Sequence, residues 1–281
     1  MEAEVLVYPD VVAARRLAAA VSEGRFRHPG RLRYGPLGLG TEFESIRDYV
    51  PDDDVRQVNW LATARFGRPM SNQHRIEQDR DVICLIDTGR LMMAPLGDHT
   101  RLDAAVDVVA AIAMVADGLG DRCGTIAFDT AVRRRLTPRR KGGNDVLRAI
   151  FDLEPIAHDS DYELAFRSVG SLKRAFVIVL TDLLEESAAR PLVDAVPLLA
   201  RRHFVAVASA KDPDLEAPLK AVPEHPRDVY AASVALEVLA ARERAAVALR
   251  RAGAVVVEAA PGALAAACVS AYLRGKRQAR L

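Results

Sequence analysis

The chain has 281 residues, of which 50% are hydrophobic and 27% are charged, and its formal net charge is +1. This composition is typical of a globular protein rather than a disordered one, and the length allows one large domain or two smaller ones. A net charge so close to zero gives no long-range field for attracting nucleic acid. Three cysteines and six histidines are scattered without the spacing of a zinc site. We therefore expect neither a nucleic-acid partner nor a structural zinc ion.

The chain opens on Met1-Glu2-Ala3-Glu4, an acidic start that is not typical of a signal peptide. No uninterrupted apolar segment is long enough to cross a bilayer. The sequence on its own therefore predicts a soluble, cytoplasmic protein with no membrane span.

The first third of the chain shows no long regular period. Residues 11–21 have helical apolar spacing, whereas residues 26–40 are broken by glycine and proline into loops with a short strand near 32–34. A turn at 51–54 is expected to cap a helix near 55–63. We expect residues 1–78 to form an irregular extension on a larger domain at 79–281.

From residue 79 onwards, apolar strands alternate with helices. The predicted strands are residues 82–86, 124–128, 132–136 (an edge strand that forms a hairpin), 175–180, 203–208 and 254–257. The predicted helices are residues 102–119, 146–153, 163–172, 189–201, 232–251 and a final helix from 263. This alternation predicts an α/β fold with a Rossmann-like, mainly parallel sheet and helices on both faces.

Polar residues follow three of the predicted strands, at Asp87, Asp182 and Ser209. Ligands in open parallel sheets bind beyond the carboxyl ends of the strands. If the strands are neighbours, the two aspartates could share an oxygen-lined cation site with Ser160 or Asp161, which would suit magnesium or calcium. The alternative is that each aspartate caps the helix after its strand.

Motifs for the common enzyme classes are missing from the sequence. The run Lys141-Gly142-Gly143-Asn144 lacks the spacing of a phosphate-binding loop, and no Gly-x-Ser-x-Gly elbow occurs. Ser209 has no histidine base that the sequence identifies. We therefore assign no catalytic residue and expect the protein not to be an enzyme.

The strand-end aspartate and the later Thr181-Asp182 pair resemble the von Willebrand factor A domain. In that family, a metal-ion-dependent adhesion site uses Asp-x-Ser-x-Ser after the first strand, a later threonine and a further aspartate. The resemblance implies that Asp87, Ser160 and Asp182 occupy the positions of this site.

A polar stretch before the first predicted strand carries a more specific resemblance. Residues 47–60 read Arg-Asp-Tyr-Val-Pro-Asp-Asp-Asp-Val-Arg-Gln-Val-Asn-Trp and are followed by Thr63-Ala64-Arg65. This run resembles the signature of the bacterial domain of unknown function 58 family, and the similarity extends to about Asp214. The signature positions are Arg47, Tyr49, Asp53, Asp54, Arg56, Trp60 and Arg65.

The chain departs from the adhesion-site pattern at two ligands. In Asp87-Thr88-Gly89-Arg90-Leu91, Gly89 and Leu91 stand where the pattern has serines. Losing two oxygen ligands leaves at most weak Mg²⁺ binding, so we expect no cofactor. As a hypothesis, Arg90 would pair with Asp87 or Asp182 and take the position of the cation.

The signature admits two interpretations. Its arginines could pair with the neighbouring aspartates while Trp60 pins the extension onto the main domain. Alternatively, its Arg, Tyr and Trp residues could form a docking surface for a partner, because these residue types are enriched at interface hot spots.

The family resemblance implies an interaction adaptor or scaffold, because relatives are commonly encoded beside MoxR-type AAA+ ATPases. The alternative is a metal-dependent hydrolase, a phosphatase or nuclease that uses Asp87, Asp161 and Asp182. Longer relatives carry two transmembrane helices upstream of a sequence similar to Val7-Tyr8-Pro9. Membrane association through such a segment therefore stays open.

Overall fold

A computed structural model gives the fold, and it describes residues 11–23, 42–50, 55, 58–75, 79–170, 172, 174–183 and 186–277. The strands, in chain order, are β1 (Glu42–Asp48), β2 (Met70–Arg75), β3 (Asp81–Asp87), β4 (Pro95–Leu96), β5 (His99–Thr100), β6 (Arg122–Phe128), β7 (Val132–Arg140), β8 (Ala175–Leu180), β9 (Phe204–Ala210) and β10 (Val255–Ala259). The helices are α1 (Val11–Ser22), α2 (Trp60–Phe66), α3 (Arg101–Leu119), α4 (Gly143–Ile150), α5 (Tyr162–Ser168), α6 (Glu186–Ala200), α7 (Pro213–Lys220), α8 (Pro226–Arg251) and α9 (Pro261–Arg277).

Six strands form a central sheet in the order β10-β9-β8-β3-β6-β7. All neighbouring pairs are parallel except β6 and β7, which form an antiparallel hairpin at one edge. Strands β3 and β8 lie side by side, and every residue in both is buried. The predicted mainly parallel sheet and its antiparallel edge strand are both confirmed.

Helices cover both faces of the sheet, as predicted. In β3, Val82, Cys84 and Ile86 face a core shared with α1, α3, α4 and α9. The intervening Ile83 and Leu85 face a second core shared with α5, α6 and α8. Alternate side chains of β3 thus pack into two apolar cores, one on each face of the sheet, which explains the continuous apolar run of β3 in the sequence.

The N-terminal region contains structure that the sequence pattern did not predict. Strands β1 and β2 pair in an antiparallel hairpin with α2 between them in the chain. The helix expected near 55–63 begins instead at Trp60, where Asn59 caps it. The expected strand near 32–34 and the turn at 51–54 lie outside the described residues.

Two further differences concern the C-terminal half. Helix α7 was not predicted, and α8 starts at Pro226 rather than near residue 232.

Among the described residues, no helix combines the length and apolar character needed to cross a membrane.

Candidate functional site

Two buried aspartates lie at the carboxyl edge of the central sheet. Asp87 is the last residue of β3, and Asp182 follows the neighbouring strand β8. Their exposed fractions are 1% and 3%. The structure thus brings the two predicted carboxylates to one edge, where burying a charge is costly unless partners compensate it.

The Asp87 carboxylate is satisfied by donors of the protein itself. Its Oδ1 accepts from the Gly89 backbone N–H at 2.8 Å and from the Ser160 hydroxyl. Its Oδ2 accepts from the Tyr162 phenol at 2.8 Å and from the Thr181 hydroxyl at 2.6 Å. These four donors therefore occupy the lone pairs of the Asp87 carboxylate, which would otherwise bind a metal ion or accept from the N–H groups of a following helix.

Sequence reasoning did not identify Tyr162, which is a central member of this cluster. Its ring packs edge-to-face on Phe128, with centroids 5.6 Å apart, and is 5% exposed. Burial, together with the negative charge of Asp87, raises the pKa of the Tyr162 phenol well above its usual value. The phenol therefore keeps its proton and remains a hydrogen-bond donor to Asp87.

Asp182 lies between two buried arginines. Arg101 Nη1 is 3.0 Å from its Oδ2, and Arg242 Nη1 is 3.2 Å from its Oδ1. In each contact one of the two atoms, Asp182 Oδ2 or Arg242 Nη1, makes no hydrogen bond. Both contacts are therefore close ion pairs whose geometry does not align as a hydrogen bond. Directed bonds to Oδ1 come instead from the Leu183 N–H at 2.8 Å and the Ser209 hydroxyl at 2.9 Å.

Two further acids complete the charge balance around the arginines. Arg101 Nη2 donates to Asp212 at 2.9 Å, and Arg242 Nε lies 3.7 Å from Glu258. Two guanidinium groups and three carboxylates thus form one network across β8, β9, β10, α3 and α8. The network compensates the buried charge of Asp182 internally.

The ion pair that the sequence suggested at this edge exists, but with different arginines. Arg90 pairs with Asp159, not with Asp87 or Asp182. Arg101 and Arg242 take the cationic position beside Asp182. The sequence did not indicate these two partners, because Arg101 and Arg242 are far from Asp182 in the chain. Only the fold brings the start of α3 and the middle of α8 to this edge of the sheet.

The residues present do not fit a divalent cation. A Cβ on Gly89 would lie 2.3 Å from the Ser160 hydroxyl and 2.7 Å from the His158 carbonyl, so the serine of the adhesion-site pattern has no space there. The Ser160 hydroxyl is held against Asp87, to which it donates. With Asp182 paired to two cations, no described group of three or more His, Cys, Asp or Glu residues could hold a metal.

A pocket of about 230 Å³ opens beside this cluster. It is lined by Asp87, Gly89, Arg90, Leu91, Asp159, Ser160, Tyr162 and Pro191. The Asp87 donors form one wall, and the Arg90–Asp159 pair lies at the more exposed rim, with side chains 45% and 77% exposed. The pocket therefore offers hydrogen-bonding groups that are already paired with one another.

The family signature forms a second feature of the molecule, centred on α2. Asn59 Oδ1 accepts from the Ala62 N–H at 2.9 Å and so caps the helix, while its Nδ2 donates to Asn72 at 2.8 Å. At the other end Gly67, with φ of 68°, closes the helix through a bond to the Thr63 carbonyl. These contacts fix a seven-residue helix that would not persist alone.

Helix α2 turns its large apolar side chains outward. Trp60 is 69% exposed, Leu61 is 85% exposed and Phe66 is 58% exposed, while Ala62 packs inward. Arg65 is also exposed on this helix. The interpretation of Trp60 as a pin between extension and main domain was therefore wrong, because its indole faces solvent.

The remaining signature residues are only partly described. Arg47 donates to the Asp48 carbonyl at 2.9 Å, and the Asp48 carboxylate pairs with Arg68 at 3.2 Å. The Tyr49 N–H bonds the Pro69 carbonyl at 3.0 Å, which ties the end of β1 to the start of β2. The signature residues Asp53, Asp54 and Arg56 lie outside the described residues.

Solved structures that resemble the chain share little sequence with it. A mutant of the PilB minor pilin from Streptococcus sanguinis is 10% identical with a TM-score of 0.48, covering 75% of this chain and 66% of that one. The SpRpn10 VWA domain is 14% identical with a TM-score of 0.41, covering 68% of this chain and 93% of that domain.

Similar sequences carry no assigned function. Uncharacterised proteins of Mycobacterium bovis and Mycobacterium tuberculosis are each 28% identical over 190 residues, which is 64% of this chain. The match spans 58% of the length of those proteins. Residues 45–221, more than half of the chain, match the family described as "Protein of unknown function DUF58". This match includes the signature helix and both strand-end aspartates, and the chain therefore belongs to the DUF58 family.

Proposed function

We propose that this protein is a non-catalytic interaction module that works with a MoxR-type AAA+ ATPase and contacts it through α2. The observation that carries the proposal is the exposure of Trp60, Leu61 and Phe66 on a helix that is rigidly held by its own caps. Large apolar side chains rarely cluster at a monomer surface without a binding role. Trp and Arg are also the residue types that most often dominate interface energies.

The rigidity of α2 supports this role. The Met70 N–H bonds the Thr63 hydroxyl at 2.9 Å, and the Asn59 N–H bonds the Met70 carbonyl at 2.8 Å, so the first residue of β2 anchors the helix at its N-cap and at its middle. Met70 itself is 6% exposed. A surface that is ordered before binding loses little conformational entropy when a partner docks, which favours affinity.

In this proposal the strand-end cluster, meaning Asp87, Asp182 and the buried side chains that contact them, stabilises the fold without a metal ion. The hydrolase alternative requires Asp87, Asp161 and Asp182 to share an ion. Asp161 instead caps α5 by accepting from the Leu164 N–H at 2.9 Å, while the other two carboxylates have separate sets of partners. No described observation favours the hydrolase, so we retain the interaction module.

Trp60→Ala is expected to weaken binding to the MoxR-type ATPase of the same organism about 30-fold, equivalent to about 2 kcal/mol at a hot spot. The measurement is biolayer interferometry with the purified ATPase immobilised. Tyr230→Ala is the matched control, because Tyr230 is a similarly exposed aromatic (73%) on a different helix, α8.

Both substitutions change exposed side chains, so both variants should unfold at the temperature of the native chain. A native affinity retained by Trp60→Ala would contradict the assignment of α2 as the contact surface. Equal weakening by Trp60→Ala and Tyr230→Ala would contradict it as well.

A further inference from the structure

A second hollow lies at the amino edge of the sheet, opposite the two strand-end aspartates. Its volume is about 220 Å³. It is lined by Arg174, Ala200, Arg201, Arg202, His203, Phe204, Val205, Gly253 and Val255. These residues come from the end of α6 and from the chain just before or at the start of β8, β9 and β10.

Three of the lining residues are arginines with exposed side chains, namely Arg174, Arg201 and Arg202. None of the three has an ion pair with another described residue, and no described acid lines the hollow. The nearest carboxylate that influences His203, Asp81, is already paired with Arg122 at 2.7 Å. The hollow therefore concentrates uncompensated positive charge.

His203 adds a buried polar group to this wall. It is 8% exposed, and its Nδ1 has no hydrogen-bond partner among the described atoms. Burial, followed by the charge of Arg202, lowers the pKa of the imidazole, so the ring is neutral near pH 7. A buried N–H without an acceptor costs more than a buried lone pair, and we therefore place the single ring hydrogen on Nε2. That nitrogen is the donor that the ring can offer to a bound anion.

We propose that this hollow is a binding site for a phosphate-class anion. Guanidinium groups bind phosphate oxygens through paired N–H donors. Three guanidinium groups also carry more positive charge than one singly charged carboxylate would balance. The volume admits a phosphoryl group together with a small attached moiety. The site is independent of α2 and of the strand-end cluster.

The test is isothermal titration calorimetry of the native chain with inorganic phosphate and, separately, with AMP, at constant ionic strength. The double substitution Arg201→Gln and Arg202→Gln should weaken the binding at least tenfold. The matched control is Arg148→Gln with Arg190→Gln, which removes the same charge from two exposed arginines on α4 and α6 outside the hollow. Saturation should also shift the ¹⁵N resonances of the His203 ring.

Tighter binding of AMP than of phosphate would identify a phosphoryl group on a larger molecule, and equal binding would identify the free anion. Either result supports the site when only the Arg201/Arg202 variant loses it. Absence of binding by the native chain overturns the proposal. Equal weakening of both double variants, or an unchanged His203 ring, overturns it too.

Discussion

Asp182→Asn is expected to lower the free energy of unfolding by about 3–5 kcal/mol, because it removes the charge that compensates two buried arginines. Arg101 and Arg242 are each 4% exposed, and neither can reach bulk water without rearranging the sheet edge. The partly buried Asp212 and Glu258 would then face the two guanidinium groups alone. For a chain of this size, thermal unfolding should occur about 6–20 °C lower.

Asp159→Asn is the matched control at the same edge of the sheet. Its carboxylate also pairs with an arginine, but it is 77% exposed, and exposed ion pairs contribute little to stability. The cost of Asp182→Asn should also shrink in an Arg101→Met background, since Asp182 then has one buried ion pair fewer to lose. Native-like stability of Asp182→Asn would show that the network does not support the fold.

Lys276→Met is expected to cost a similar 3–5 kcal/mol at the opposite edge of the sheet. The Lys276 ammonium donates to the carboxylate of Asp121, which is completely buried and also accepts from Tyr272 and from the Arg80 N–H. Burial lowers the pKa of Lys276, and the adjacent negative charge of Asp121 opposes that effect. Methionine keeps the packing of the aliphatic stem but leaves the carboxylate without its cation.

Urea unfolding measures this loss, and Asp121→Asn added to Lys276→Met provides the control. The amide oxygen can still accept from the Arg80 N–H, its NH₂ can donate to the Tyr272 hydroxyl oxygen, and it carries no charge, so the double variant should regain part of the lost stability. If the double variant is less stable than Lys276→Met alone, then buried charge is not the cause of the loss.

The sequence predicted the central sheet well because its strands are buried on both faces. Strands β3 and β8 are continuous apolar runs, and β8 spans the residues expected for it. The β1–β2 hairpin was missed since its strands are polar and carry little alternation to mark them. Helix α7 was missed for a similar reason: it contains two prolines and buries no residue.

The candidate site was predicted in part. Asp87, Ser160 and Asp182 do lie at one sheet edge, but their partners come from distant parts of the chain. Arg101 is 81 residues before Asp182, and Arg242 sits within a helix whose pattern gives no sign of a buried charge. A clue to Tyr162 existed, because a hydroxyl-bearing aromatic two residues after Ser160 was available to the same carboxylate.

The most direct test of a metal-independent interaction module is the affinity of the native chain for the nucleotide-free MoxR-type ATPase, measured by interferometry in EDTA and again in Mg²⁺. We expect binding with the same dissociation constant in both buffers, since Asp87 and Asp182 are held by protein donors and arginines. Binding that appears only in Mg²⁺ and is lost on Asp87→Asn would contradict metal independence. No binding in either buffer would contradict the proposed partner.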